Sequence, residues 1–447
     1  MAGAVERLED RLAALPVVTP DARPFIALMH EYDLLWVQVG MRTALQNSGF
    51  VQPDAQAVTA LQERLGRAVA IGFMLVTPPR LPGQSRPEAE YLRYCIGPGT
   101  VQLRLVGRQA GIDRLVHACR AGFLDGAGAP PAATQLAARL LADLPPAVEA
   151  APDWILDPDG ALHLLPFDAL PDRHGRALVH TRSIRLATSL QALDPQPRQV
   201  AAGAAAILAD PDYGQAPPAT PGNATLRWSG AIGAGRVAAL PDTRGEARAV
   251  AASLARLGIP SQVHLSRQAS AASLAALRSP SVLHIAAHAV LRTVIDNAAE
   301  YADPGGADAV ELLLPGRQAG LLLSQDGQPA VMLAKDVERL ALQGTALVVL
   351  SACDTANGEI VPGESIASLR RAVELAGARS ALTALWQVPS SATATLMGDF
   401  YAALASGAAS SDALRQAKLA ALARGAAPHA WAGFQLSGQN LAFKPAA

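Results

Sequence analysis

Two short apolar segments decide how this chain is interpreted: Ser281-Val-Leu-His-Ile-Ala-Ala-His288-Ala and Ala346-Leu-Val-Val-Leu-Ser-Ala-Cys353-Asp-Thr. Each is typical of a strand that is buried on both faces, and each ends in small residues. Because parallel strands bring their carboxyl ends to one edge of a sheet, where ligands usually bind, the segments predict an imidazole and a thiol at that edge. His288 and Cys353 are therefore the candidate base and nucleophile of a cysteine peptidase.

The composition favours an ordinary folded protein with a large aliphatic core. Half of the 447 residues are hydrophobic, only 17% are charged, and the formal net charge is −1. Such a balance argues against nucleic acid as the main partner, and no apolar segment approaches the roughly 20 residues that span a bilayer. The three cysteines, Cys95, Cys119 and Cys353, provide no disulfide framework. We expect no membrane contact, no cofactor and a cytoplasmic location.

The order of the patterns along the chain predicts three regions. Residues 1–89 have helical spacing, with helices expected near 25–39 and from Asp54 to the prolines at 78–79. Residues 90–200 are expected to contain two β-hairpins, over 90–106 and 154–167, and helices near 112–121 and 134–144. From about residue 201 strands and helices alternate. This alternation predicts an α/β fold with a mostly parallel sheet flanked by helices on both faces.

Further motifs give the chain a family resemblance that extends over about residues 90–443. The motifs are Leu283–His288, Ala319–Ser324, Val349–Gly358, Gly363–Ser365, Ala376–Ala378, Leu385–Val388 and Trp431–Gly438, with Asp157–Gly160, Leu165–Phe167 and Leu240–Ala247 upstream. Together they resemble the CHAT domain, the caspase-like peptidase of the caspase/gingipain/separase clan. The resemblance implies a caspase-like catalytic domain over residues 201–443, and it makes 90–200 the N-terminal part of the same domain.

The same resemblance assigns roles to individual residues. It implies that Cys353 is the nucleophile and His288 the base, and that the backbone N–H groups of Cys353 and Ala289 form the oxyanion hole. Family members usually have glycine after the histidine, whereas this chain has Ala289. A carboxylate in the loop after the first strand could select a basic substrate side chain, which makes Asp210 and Asp212 the substrate-binding candidates. Asp354 is expected to be an exposed loop residue.

Three other interpretations stay open at this stage. His284, His288 and Cys353 could bind a metal ion, although a buried His284 bonded to backbone is the expectation. A caspase-fold module without turnover could bind proteins, and the chain could be an esterase or amidase that acts on small molecules, although it has no G-x-S-x-G motif in its usual context. The peptidase interpretation implies a protein substrate and a separate activating or sensor protein. The composition of Asp296–Gly306 predicts a mobile loop beside the site.

Overall fold

The computed structural model describes residues 55–77, 88–126, 128–187, 196–200, 203–214, 226–228, 232–233, 236–237, 239–294, 319–351, 365–386 and 388–444. The strands in these ranges are β1 Ala68–Val76, β2 Glu90–Gly97, β3 Thr100–Arg108, β4 Asp153–Asp157, β5 Ser183–Leu186, β6 Arg198–Gln199, β7 Ala205–Pro211, β8 Leu226–Trp228, β9 Ile232–Gly233, β10 Arg236–Val237, β11 Ser261–Ser266, β12 Val282–Ala286, β13 His288–Val294, β14 Ala319–Gln325, β15 Gln328–Leu333, β16 Leu347–Leu350, β17 Ser380–Ala384, β18 Phe434–Gly438 and β19 Leu441–Ala442. The helices are α1 Ala55–Leu65, α2 Gln109–Leu124, α3 Pro131–Leu140, α4 Pro146–Ala150, α5 Asp242–Arg256, α6 Ala271–Ala276, α7 Ala334–Val337, α8 Ser365–Leu375, α9 Ser390–Ala405 and α10 Ser410–Ala423.

One large sheet organises the described residues. Its strand order is β11-β7-β12-β16-β17-β18-β5-β4-β1-β2-β3. The pairs from β11 to β17 are all parallel, as are those from β18 to β1. Antiparallel pairs join β17 to β18 and add β2 and β3 at one edge. The expected mostly parallel α/β sheet is confirmed.

The central strands are buried because helices cover the sheet. Every residue of β12 and of β16 is buried, as their unbroken apolar sequences predicted. One cluster of buried apolar side chains extends from Val69 in β1 to Phe443 near the carboxyl end of the described chain. A second cluster packs β12 and β16 against α8. These clusters fix the strand ends that surround the candidate site.

A smaller antiparallel sheet lies next to the end of β12, in the order β15-β14-β13-β8. Its strand β13 begins at His288, two residues after β12 ends. Within it, Ala289 lies opposite Leu321 of β14. The chain therefore changes sheets at the predicted base, which places His288 at the carboxyl edge of the large sheet.

The prediction of one helix from Asp54 to the prolines at 78–79 is wrong in its second half. Helix α1 ends at Leu65, and Gly66 follows with φ +55°, a conformation that commonly terminates a helix. The continuous apolar sequence Ala68–Val76 then forms β1, which pairs with β2 and β4. The predicted helix at 25–39 lies outside the described residues, and the domain boundaries stay predictions.

The second predicted hairpin, over 154–167, is also wrong. Strand β4 pairs in parallel with β1 and β5, and residues 160–164 form a 3₁₀ helix instead of a return strand. The Asp159 carboxylate accepts hydrogen bonds from the backbone N–H groups of Gly160 and Leu75, each at 2.8 Å. Asp159 thus caps the 3₁₀ helix and ties it to β1, so the turn leads away from β4. The first hairpin, β2 and β3, is confirmed.

Candidate active site

The candidate site is a cavity of about 410 Å³ at the carboxyl edge of the large sheet. Its described lining contains Leu124, Leu240, Thr243, Glu246, Ala287, His288, Ser351, Val388, Pro389, Ser390, Thr393 and His429. The strand ends supply Ala287 and His288 after β12 and Ser351 after β16. A volume of this size accommodates a small ligand or one long side chain of a larger one.

Tyr213 holds His288 at the edge of this cavity. The two rings lie 5.7 Å apart between centroids, at an angle of 33°. The backbone N–H of His288 donates to the Tyr213 hydroxyl at 3.4 Å, and that hydroxyl donates to the carbonyl of Leu322 at 3.0 Å. Burial raises the pKa of Tyr213, so the phenol keeps its proton. His288 is 5% exposed. Its backbone is held by the hydrogen bond to Tyr213 and by the pairing of β13 with β14.

A buried hydrogen-bonded network lies beside His288. Glu246 Oε1 accepts from the Ser351 hydroxyl at 2.6 Å and lies 3.0 Å from His284 Nε2. His284 Nδ1 lies 3.3 Å from the Tyr401 hydroxyl, and burial together with the Glu246 charge raises the pKa of Tyr401. Glu246 on α5 therefore links the ends of β12 and β16 in the cavity wall, and His284 extends the network to Tyr401 on α9.

This network corrects two expectations. His284 was expected to bond to backbone, but its two ring nitrogens meet the side chains of Glu246 and Tyr401. The sequence pattern also predicted Glu246 in the first turn of a helix, where its charge would suit the helix dipole, but α5 begins four residues earlier at Asp242 and Glu246 is 2% exposed. The buried residues of α5 include Thr243, Glu246, Ala247 and Val250. Glu246 therefore lies on the apolar stripe, and that spacing was the signal in the sequence that could have identified it.

Asp210 and Asp212, the substrate-binding candidates, are each paired with an arginine. Arg244 forms a salt bridge with Asp210 and donates to the Ser266 hydroxyl as well. Arg267 Nε lies 3.3 Å from Asp212, whose pKa is lowered by the backbone N–H of Gly214 and by Arg267. Neither aspartate belongs to the described cavity lining. Their proposed role in substrate binding stays a prediction.

Cys353 and Asp354 lie outside the described residues, as does the segment Asp296–Gly306. Ser351, the last described residue of that strand end, is two residues before Cys353. The other two cysteines are buried, and burial raises the pKa of Cys95 to about 11 and that of Cys119 to about 12. Both are core thiols with little thiolate character near neutral pH.

Two family motifs pack against each other to form the wall of the cavity. The indole Nε1–H of Trp386 donates to the carbonyl of His429 at 2.8 Å. Gly433 is required beside that indole, because a Cβ atom at this position would lie 2.8 Å from Trp386 Cε2. With Trp386 packed on Gly433, the hydrogen bond from its indole holds the backbone of His429, a residue of the cavity lining.

The described residues contain no group of three or more His, Cys, Asp or Glu side chains arranged to hold a metal ion. The metal alternative also needs His284, whose Nε2 faces Glu246. None of the helices in the described ranges combines the length and apolar character that a bilayer crossing requires.

The fold and the site together define an α/β protein with a histidine-lined cavity at the carboxyl edge of a mostly parallel sheet. The family model of the CHAT domain matches residues 130–439. The chain therefore belongs to the CHAT domain family.

Comparisons with individual proteins give partial or distant similarity. A segment of 97 residues is 37% identical to "Tetratricopeptide repeat protein 28" of Mus musculus, which is 21% of this chain and 4% of that protein's length. A crystal structure of the Arg-specific cysteine proteinase gingipain R is 8% identical, with a TM-score of 0.41, over 76% of this chain and 69% of that one. A separase–securin complex of Saccharomyces cerevisiae is 13% identical, with a TM-score of 0.35, over 65% of this chain and 16% of that one.

Proposed function

We propose that this chain is a cysteine endopeptidase in which Cys353 is the nucleophile and His288 the general base. The observation that carries the proposal is the position of His288, in a cavity at the carboxyl edge of the sheet beside the strand end that leads to Cys353. Strands β12 and β16 are adjacent and parallel, so both catalytic segments leave the sheet at the same edge. Membership of the CHAT family supports the same pair of residues.

The proposed reaction follows the chemistry of a thiol and an imidazole. His288 takes the proton of Cys353, and the thiolate attacks the carbonyl carbon of the peptide bond. His288 then protonates the leaving amine as the C–N bond breaks. Water hydrolyses the thioester, which returns the thiol and releases the acid. The backbone N–H groups of Ala289 and Cys353 are the proposed donors to the oxyanion.

The proposal includes partners. The proposed substrate is a protein, and a separate activating or sensor protein is the proposed second partner. The activator, the cleavage site and the compartment, which we expect to be the cytoplasm, are parts of the proposal that need direct measurement.

The test compares the wild-type chain with Cys353→Ala and His288→Ala. We expect each substitution to reduce cleavage of a mixed peptide library by at least about 10³-fold, the scale seen when a member of a catalytic set is removed. Cys119→Ser serves as the matched thiol control and should retain activity. New protein N-termini in cells that express the wild type, compared with cells that express Cys353→Ala, detect cleavage that needs an activator. If neither assay distinguishes wild type from Cys353→Ala, the chain is a protein-interaction module without turnover.

A further inference from the structure

The buried carboxylate of Glu246 is the most unusual group in the cavity wall. Its side chain is 1% exposed, and its Oε1 has both Ser351 and His284 as neighbours. Its second oxygen, Oε2, is buried and has no hydrogen-bond partner among the described residues. A buried carboxylate oxygen without a partner is costly, so it indicates that something else occupies the space in front of it.

The hydrogen-bond partners of Glu246 include no lysine or arginine side chain. A hydroxyl donates from Ser351, and His284 can donate from Nε2 while its Nδ1 accepts from the Tyr401 hydroxyl. In that tautomer His284 provides no cation to the carboxylate. Among the described residues that line the cavity there is no lysine or arginine and no second carboxylate. Arg244 and Arg267 pair with Asp210 and Asp212.

Two further polar atoms in the same wall have no partner in the described part of the chain. Thr393 Oγ1 and His429 Nδ1 are both buried, and both residues line the cavity together with Glu246. Thr393 is 4% exposed. The remaining lining is mixed: Leu124, Leu240, Ala287, Val388 and Pro389 are apolar, and Thr243, His288, Ser351 and Ser390 are polar. A cavity that combines apolar side chains with several acceptors fits a long side chain that ends in a planar, many-donor cation.

We infer that Glu246 is the specificity residue of this cavity and binds a guanidinium or ammonium group from an arginine or lysine side chain. Glu246 Oε2 accepts from the cation, with Thr393 Oγ1 and His429 Nδ1 as additional acceptors, and the aliphatic stem packs on the apolar walls. Because His288 lines the same cavity, the bound residue lies next to the scissile bond if the proposed peptidase function is correct. Glu246 thereby takes the role that the sequence suggested for Asp210 and Asp212.

The first experiment measures binding and does not need catalysis. The probes are n-butylguanidinium and its neutral isostere n-butylurea, titrated by calorimetry into the full-length chain. We expect the wild type to prefer butylguanidinium by at least about tenfold and Glu246→Gln to lose that preference, because an amide oxygen carries no net charge. Thr393→Val, which leaves the Glu246 network intact, should weaken butylguanidinium binding several-fold. Asp399→Asn, outside the cavity lining, is the matched acid-to-amide control and should behave as the wild type.

The second experiment measures cleavage of two peptides that differ only by arginine or citrulline before the scissile bond. We expect the ratio of their kcat/KM values to favour arginine by about 100-fold in the wild type and by less than about threefold in Glu246→Gln. Failure to cleave either peptide counts against the peptidase proposal and leaves the calorimetry to decide the inference. Equal binding of both probes by the wild type, or an unchanged preference in folded Glu246→Gln, would show that the cavity holds only water and would overturn the inference.

Discussion

Two carboxylates in this molecule have different surroundings. Asp168 is half-buried and lies against Lys418, whose side chain is 1% exposed and whose ammonium also donates to the carbonyl of Phe434. Glu246 meets a serine hydroxyl and an imidazole and has no lysine or arginine among its hydrogen-bond partners. In each carboxylate one oxygen, Asp168 Oδ1 or Glu246 Oε2, has no hydrogen-bond partner in the described residues, so the difference between them is the neighbouring cation. The first charge is compensated inside the fold, as a structural pair must be. The second is compensated only when a cation enters the cavity, which is the property of a binding site.

The largest expected effect comes from breaking the compensated pair. Lys418→Met leaves the half-buried Asp168 without its cation, and we expect it to lower the free energy of unfolding by about 3 kcal/mol. Urea denaturation of the full chain measures this change. The double variant Lys418→Met/Asp168→Leu should recover most of the loss. A loss below about 1 kcal/mol in the single variant would show that the pair is not structural.

A half-buried histidine, His163, sharpens the comparison because the protein keeps it neutral. Arg370 Nη2 lies 3.1 Å from His163 Nδ1, and an arginine can only donate, so that nitrogen accepts. Burial and the Arg370 charge lower the pKa of His163 to about 4. The unfolded chain, with an ordinary histidine pKa near 6.5, therefore binds more protons between pH 6.5 and 4.

The consequence is a loss of stability in acid. As the pH falls from 6.5 to 4, we expect His163 to account for a decrease of about 2 kcal/mol in the free energy of unfolding. His163→Asn keeps an acceptor near the Nδ1 position but does not titrate. Urea midpoints measured across this range should therefore fall less steeply in His163→Asn than in the wild type. Parallel pH profiles would contradict the neutral His163.

The smallest stability effect is expected at Glu246. Glutamine retains an oxygen for Ser351 and His284 and removes the charge, so Glu246→Gln should change the free energy of unfolding by less than about 1 kcal/mol. The same denaturation experiment provides the comparison with Lys418→Met. A loss as large as that of Lys418→Met would show that the Glu246 charge is compensated within the fold.

The sequence predicted those parts of the molecule that depend on local pattern. The buried strands β12 and β16, and the alternation of strands and helices from about residue 201, follow from spacing and residue type. The sequence also predicted His288 at the carboxyl edge of the sheet, and His288 lines the cavity there. The prediction of a helix over Ala68–Val76 was wrong because this segment forms a strand that pairs with β2 on one side and β4 on the other. Pairing with distant strands is not encoded in local propensity.

The site could be predicted only in part, because its polar contacts join distant elements. Glu246 meets residues 38 and 105 positions away, and Tyr213 fixes a residue 75 positions away. The negative charge that the sequence placed at Asp210 and Asp212 is matched there by Arg244 and Arg267. Which acid stays uncompensated depends on side-chain positions in three dimensions and not on the presence of aspartate in a loop.

The most direct test of the account is the alkylation of the three cysteines by iodoacetamide as a function of pH, in the wild type and in His288→Ala. Cys95 and Cys119 are fully buried with raised pKa values. We predict that Cys353 of the folded wild type reacts at least about 100-fold faster than either at pH 7, because an imidazole favours the thiolate. In His288→Ala the midpoint of Cys353 labelling should rise by about 1–2 pH units. Equal labelling of the three thiols, or the same Cys353 profile with and without His288, would contradict the dyad.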